Sequence, residues 1–166
     1  MASKNLDDLL TDGLKDVYYA ERKILTALPK MAASAQTPKL KEAFEKHYEE
    51  TQSHVERLDQ IFELLGKPVK AKTCPAVDAI IEEGEEILDK FKESPALDLG
   101  LIAGAQAVEH YEIARYSALK KWSLALGYSE AADLIDATLQ EELKTDADLG
   151  SLSDSLGNSK TFKTSR

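Results

Sequence analysis

Several glutamates and histidines of this sequence stand where an amphipathic helix would place leucine or valine. Glu21 lies three and four residues from Val17, Ile24 and Leu25, inside the apolar stripe of its segment. His47, Glu50 and His54 interrupt the stripe formed by Leu40, Ala43, Phe44, Thr51 and Leu58. Glu109 and Glu112, three residues apart and on one face, fall among Leu101, Ala105, Val108, Tyr116 and Leu119. Glu142 and Asp146 align with Ile135, Leu139 and Leu149. Burying an isolated ionised carboxylate costs several kcal/mol or more, so buried charges are paired or bind metal. These inner faces carry no lysine, and Arg22 and Arg115 lie on flanks, so internal ion pairs do not neutralise the set. One or two divalent cations do, and carboxylates with imidazole suit iron or manganese.

The spacing repeats. Glu21 and Glu112 are 91 residues apart, Glu50 and Glu142 are 92 apart, and so are His54 and Asp146. The run Val17-Tyr-Tyr-Ala-Glu21 echoes Val108-Glu-His-Tyr-Glu112, with Tyr18 in the place of Glu109. Two helical hairpins facing each other would bring Glu21, Glu50, Glu112 and Glu142 to one level, the arrangement a dinuclear site needs. A single inward glutamate is more often a boundary residue whose head reaches solvent; the agreement of two half-repeats carries the metal reading. His47, His54 and Asp146 are candidates to complete the coordination, and which histidine ligates stays open. Glu49 and Glu141 are expected to turn away, His110 to face outward, Tyr18, Tyr111, Tyr116 and Trp122 to pack, and Cys74 to be a bystander thiol. The run Glu82-Glu83-Gly84-Glu85-Glu86 reads as a solvated face.

The elements that would position these residues are helices throughout. Helical spacing of apolar residues predicts helices over 5–34, 38–65, 76–92, 96–125 and 130–153. Pro29 is expected to kink the first near its end. Thr37 and Ser129 are candidate N-caps, Pro38 suits a first helical position, and Gly66 and Gly127 mark stops. No run reads as a strand. Two long helices, a connection holding a short helix, and two more long helices make an all-α, ferritin-like four-helix bundle with a short extra helix in the long crossover. The bundle is assigned to residues 1–153, and residues 154–166, rich in Ser, Thr and Lys, to a flexible tail.

The chain has 166 residues, enough for one well-buried domain. Its net charge of −9 argues against nucleic-acid binding, which needs Lys and Arg against phosphates. One cysteine, which allows no intrachain disulfide, and an N-terminus without an apolar run point to a reducing, cytoplasmic setting. No apolar stretch approaches the roughly 20 residues of a membrane span.

The segment from His47 to Leu58, the segment from Ala107 to Tyr116 and the run Thr138-Leu-Gln-Glu-Glu-Leu143 resemble signatures of the YciE/YciF-type stress-protein family. Cys74-Pro-Ala-Val-Asp-Ala-Ile-Ile-Glu-Glu83 resembles its crossover segment, and the likeness extends over about residues 5–153. The resemblance implies a rubrerythrin-related, ferritin-like bacterial protein, a homodimer, linked to stress and to ferroxidase activity. Glu21 and Glu112 match the superfamily's single-helix glutamates, and Glu50 and Glu142 match the glutamates of its Glu-x-x-His pairs. Ser53 and Thr145 stand where those histidines belong, so His47 or His54, and Asp146, would have to substitute. Glu109 with Glu112 resembles the extra glutamate of rubrerythrin-like sites, while no rubredoxin-like cysteine quartet is present.

The resulting expectation is a centre of two Fe ions, or two Mn ions, with Glu50 and Glu142 bridging and Glu21 and Glu112 terminal. Glu109, His47, His54 and Asp146 are the further candidates. Its reaction would be ferrous oxidation by dioxygen, or reduction or disproportionation of hydrogen peroxide. The competing expectation is a non-catalytic dimeric helical stress protein that acts through partner binding and keeps a structural or vestigial metal site.

Overall fold

A computed structural model describes residues 3–158, and within them every regular element is helical. The five helices are α1 (Leu6–Ser34), α2 (Pro38–Leu64), α3 (Pro75–Phe91), α4 (Leu97–Ala125) and α5 (Ser129–Gly157). Asn5 caps α1 through its side chain, and Asp8 returns the bond to the Asn5 backbone N–H, so two orphan donors are satisfied reciprocally. Pro29 lies within α1, which continues to Ser34. Pro29 is on the exposed side of the helix, where water can serve the carbonyl its missing N–H leaves free.

Thr37 stands at the N-cap of α2 but makes no side-chain capping bond. The buried carboxylate of Asp98 does related work, accepting from the backbone N–H of Gln36 at 2.7 Å and of Thr37 at 2.9 Å. That pair pins the α1–α2 turn to the start of α4. Gly66 and Gly127 follow α2 and α4 with φ of 63° and 79°, a left-handed backbone that closes a helix end and favours glycine. Two expectations fail at α5. Tyr128, not Ser129, is the N-cap residue, and the helix continues past 153 to Gly157. The helical pattern there is carried by Leu152 and Leu156, which pack on the core. The rest of the expected tail, residues 159–166, lies outside the described residues.

Two apolar clusters fill the bundle. One gathers Leu10, Leu14, Val17, Leu58, Phe62 and Ile135, among others. The second gathers Ile24, Leu28, Phe44, Leu101, Ile102 and Leu149, among others. Helices α1 and α5 run from the first cluster to the second, and α2 and α4 run the opposite way. The order is therefore up, down, down, up, and the chain must travel the length of the bundle between α2 and α4. The segment containing α3 does this: 17 residues of helix span about 25 Å. Lys72 anchors the crossover to α1 by a backbone bond to Lys15 and by its ammonium on Asp12 at 2.6 Å. No helix among the described residues is long and apolar enough to cross a membrane.

Candidate metal centre

Between the two apolar clusters lies a polar layer, and each long helix contributes to it. Glu21 comes from α1, His47 and His54 from α2, Glu109 and Glu112 from α4, and Glu142 from α5. All six are buried, and Glu21, His54, Glu112 and Glu142 have no exposed surface. One ligand atom each from His47, Glu109, Glu112 and Glu142 lies within 4.8 Å of the others, and the same holds for Glu21, His54 and Glu142. Glu142 belongs to both groups.

The contacts are short but unaligned. His54 Nδ1 is 3.0 Å from Glu142 Oε1 and 3.4 Å from Glu21 Oε1, and His47 Nε2 is 3.1 Å from Glu109 Oε1. Yet both nitrogens of His47, His54 Nδ1, both oxygens of Glu112 and of Glu142, and one oxygen each of Glu21 and Glu109 lack an aligned hydrogen-bond partner. Buried polar atoms are nearly always satisfied, so such a concentration in one layer needs an explanation. Lone pairs converging on shared space are what a divalent cation would use, and the donor set of carboxylates and imidazoles fits iron or manganese.

The supporting contacts favour the same arrangement. His54 Nε2 faces Glu141 Oε2 at 2.9 Å, and Arg57 grips both Glu141 oxygens at 2.6 and 2.9 Å. A histidine whose far nitrogen donates to a carboxylate presents its other nitrogen to a metal in a fixed orientation. Tyr116 donates its hydroxyl proton to Glu21 in a short bond that fixes the carboxylate. Sequence reasoning missed these three residues: Glu141 was expected to turn away, Tyr116 to pack, and Arg57 was not considered. Glu141 does point off the axis, toward the α2–α5 seam. Arg57, three residues after His54 and so on its side of α2, was the available signal.

Burial governs how the groups of this layer titrate. Burial pushes Glu112 well above the usual carboxylate range, and Glu142, Glu21 and Glu109 push it further. Glu142 is raised chiefly by burial, against the pull of His54. Burial lifts Glu109 to about 7 and holds His47 down, which keeps that imidazole neutral. Burial alone would depress His54 too, but the Glu21 and Glu142 carboxylates overcome it and raise the imidazole to about 11. Burial thus favours the protonated form of the Glu109, Glu112 and Glu142 carboxylates.

Two expected ligands lie apart from this group. Glu50 is partly exposed and pairs with Lys46, four residues earlier, at 2.9 Å. It lines a small opening beside His47 and Glu109. Asp146 accepts from Gln106 Nε2 at 3.0 Å and lies 3.1 Å from His110 Nε2. Thus of the eight residues singled out, six converge and two stand at the periphery. Cys74, expected to be inert, is buried against Ala20 and Val77 with its sulfur 3.0 Å from the Tyr111 hydroxyl.

Fold and site together define an all-α bundle with a buried carboxylate–histidine centre that could hold a metal ion. The chain matches the family described as domain of unknown function 892 (DUF892) over residues 5–161, and it belongs to that family. It is 40% identical to protein YciF of Escherichia coli over 153 residues, 92% of each chain. The crystal structure of the Escherichia coli stress protein YciF superposes with a TM-score of 0.91 at 39% identity, covering 95% of this chain and 100% of that one. YcfI of Rhodopseudomonas palustris, described as a candidate structural protein, superposes with a TM-score of 0.86 at 41% identity, covering 89% and 94%.

Proposed function

We propose that this protein is a ferritin-like stress-response protein whose polar layer binds two divalent ions, iron or manganese, and that it oxidises ferrous iron or removes peroxide. The observation that carries the reading is the set of buried, unpartnered carboxylate and imidazole atoms in the two groups that share Glu142. A bound metal pair would supply redox chemistry at a buried point of the bundle. The chain's own residues do the remaining work. Glu142 lies between the two halves of the site. Glu21, held by Tyr116, and His54, held by Glu141 and Arg57, form one side. His47, Glu109 and Glu112 form the other.

A second reading, a non-catalytic stress protein acting through partner binding with a structural or vestigial metal site, draws on one observation. Protonated His54, placed between Glu21 and Glu142, partly neutralises the layer without any metal. Elemental analysis after anaerobic addition of Fe(II) or Mn(II) separates the possibilities. Two ions per chain, followed by metal oxidation on exposure to dioxygen or peroxide, supports the redox centre. Bound but unreactive metal supports a structural site, and no binding at all overturns the redox centre and leaves the non-catalytic protein with a vestigial site.

A further inference from the structure

Two openings on different sides of the bundle reach the polar layer. On the α2–α5 side a small opening beside His47 and Glu109 has Lys46, Glu50 and Asp148 next to Ala43, Phe44 and Leu149. Between α1, α3 and α4 lies a cavity of about 50 Å³ that also reaches His47 and Glu109. Its walls are Ile24, Leu28, Ile81, Leu88, Leu101 and Val108. Gly84 and Gly104 line the cavity where α3 passes α4, and a Cβ on Gly104 would lie 3.7 Å from the Gly84 Cα. Polar side chains occur only at its two ends. The exposed Lys30–Glu85 pair, 3.3 Å apart, stands at the mouth, and the buried His47 and Glu109 stand at the floor.

We propose that this cavity admits and holds a small nonpolar molecule of dioxygen size beside His47 and Glu109. The assignment as a dioxygen site rests on the redox reading above, whereas the binding itself does not. Size is the first argument. Filling one water site takes about 10–15 Å³ on this kind of measure, and a cavity that holds benzene about 150 Å³, so a space of about 50 Å³ suits a diatomic gas or a single xenon atom. Chemistry is the second. An apolar lining offers a water molecule too few of the two to four partners it needs, so the walls stay dry and available to a nonpolar guest. Position is the third. The floor is formed by a histidine with both ring nitrogens unpartnered and a glutamate with one free oxygen, both more than nine-tenths buried. A guest in the cavity is therefore delivered to one side of the polar layer, that of His47, Glu109 and Glu112, and not to Glu21 and His54.

Xenon is the probe, because it reads the cavity without any metal. Crystals of the metal-free protein pressurised with xenon are expected to show one anomalous peak among Ile24, Val108 and Glu109. In Val108→Phe the ring fills the space, and xenon occupancy is expected to fall by at least about fivefold, since interiors have no spare volume to relocate it. Ala27→Leu, which narrows the cavity from the α1 side, is the second variant, and retained helicity and melting temperature certify both. Metal stoichiometry should be unchanged in either. Ordered waters in place of xenon, xenon elsewhere, or full xenon occupancy in both folded variants overturns the proposal. Xenon bound as expected in a protein that takes up no metal would overturn the redox reading and leave the cavity a nonpolar ligand site. With metal bound, dioxygen uptake should slow about tenfold in the variants while ion loading proceeds at the wild-type rate, as expected if the two routes are separate.

Discussion

In the α4–α5 hairpin Glu142 is sealed at the centre of the bundle, whereas in the α1–α2 hairpin its repeat counterpart, Glu50, lies at the edge, paired with Lys46. The same contrast holds one turn further on. His54 is fully buried among Glu21, Glu141 and Glu142, and its counterpart Asp146 faces Gln106 and His110 at the periphery. The first hairpin thus supplies both histidines and one glutamate, and the second supplies three glutamates. A repeated spacing sets which turn of a helix a residue occupies. Rotation about the helix axis, decided by packing, sets whether its side chain reaches the centre. The Arg57–Glu141 grip across the α2–α5 seam places α2 with His47, Thr51 and His54 inward, and Glu50 between them is drawn toward Lys46. The site is chemically asymmetric although its sequence pattern is nearly symmetric.

The sharpest way to break this comparison is to neutralise the two counterparts. Glu142→Gln removes the carboxylate common to both groups, and metal affinity measured by calorimetry should fall by at least about 100-fold. Glu50→Gln should leave affinity within about threefold, as expected of a peripheral charge. An equal loss in both would restore the symmetric site.

Metal-free stability gives the next effect. Glu112 has two buried, unpartnered oxygens, so Glu112→Leu should stabilise the metal-free fold by about 1–4 kcal/mol in urea denaturation while lowering metal binding. A destabilised variant would show that the carboxylate is satisfied after all. Tyr116→Phe should weaken metal binding by about tenfold or somewhat more, through the loss of the hydroxyl that fixes Glu21. Asp146→Asn should change it by less than about twofold, in keeping with the second hairpin's peripheral member.

The two hairpins also differ in how they titrate. Glu109, Glu112 and Glu142 hold protons more tightly in the fold than in the unfolded chain, where a glutamate titrates at 4.5. Their stabilising contribution is complete below that value and is lost as pH rises, through about 7 for Glu109. His54, raised from 6.5 to about 11, acts in the same sense, with its contribution complete below 6.5 and fading above it. His47, depressed from 6.5, works the other way and loses its contribution as pH falls below that value. The melting temperature of the metal-free protein should therefore decline from pH 7 to pH 9, and metal should flatten the decline. A rising melting temperature over that range would show that the carboxylates are ionised and compensated by other means.

Much of this molecule was legible in its sequence. Helical periodicity located all five helices. Pro38, Gly66 and Gly127 marked boundaries because their backbone constraints are local. Glu21, Glu112 and Glu142 could be read because each interrupts an apolar stripe in register with its neighbours, and burial is a matter of helix face. The end of α5 was not read, although Leu149, Leu152 and Leu156 keep helical spacing, because the serines and aspartates around them resemble a polar tail. Nor was the capping work of Asp98, which acts on a turn about 60 residues earlier in the chain.

The sequence alone determined that four helices would bring acids and imidazoles to one buried level, since spacing along a helix is fixed by its 3.6-residue turn. Only the tertiary structure decided which of them meet. It set Glu141 and Arg57 behind His54, placed Tyr116 on Glu21, and left Glu50 and Asp146 outside. These outcomes depend on the rotation and approach of whole helices against one another, which interlocking side chains from distant segments settle jointly.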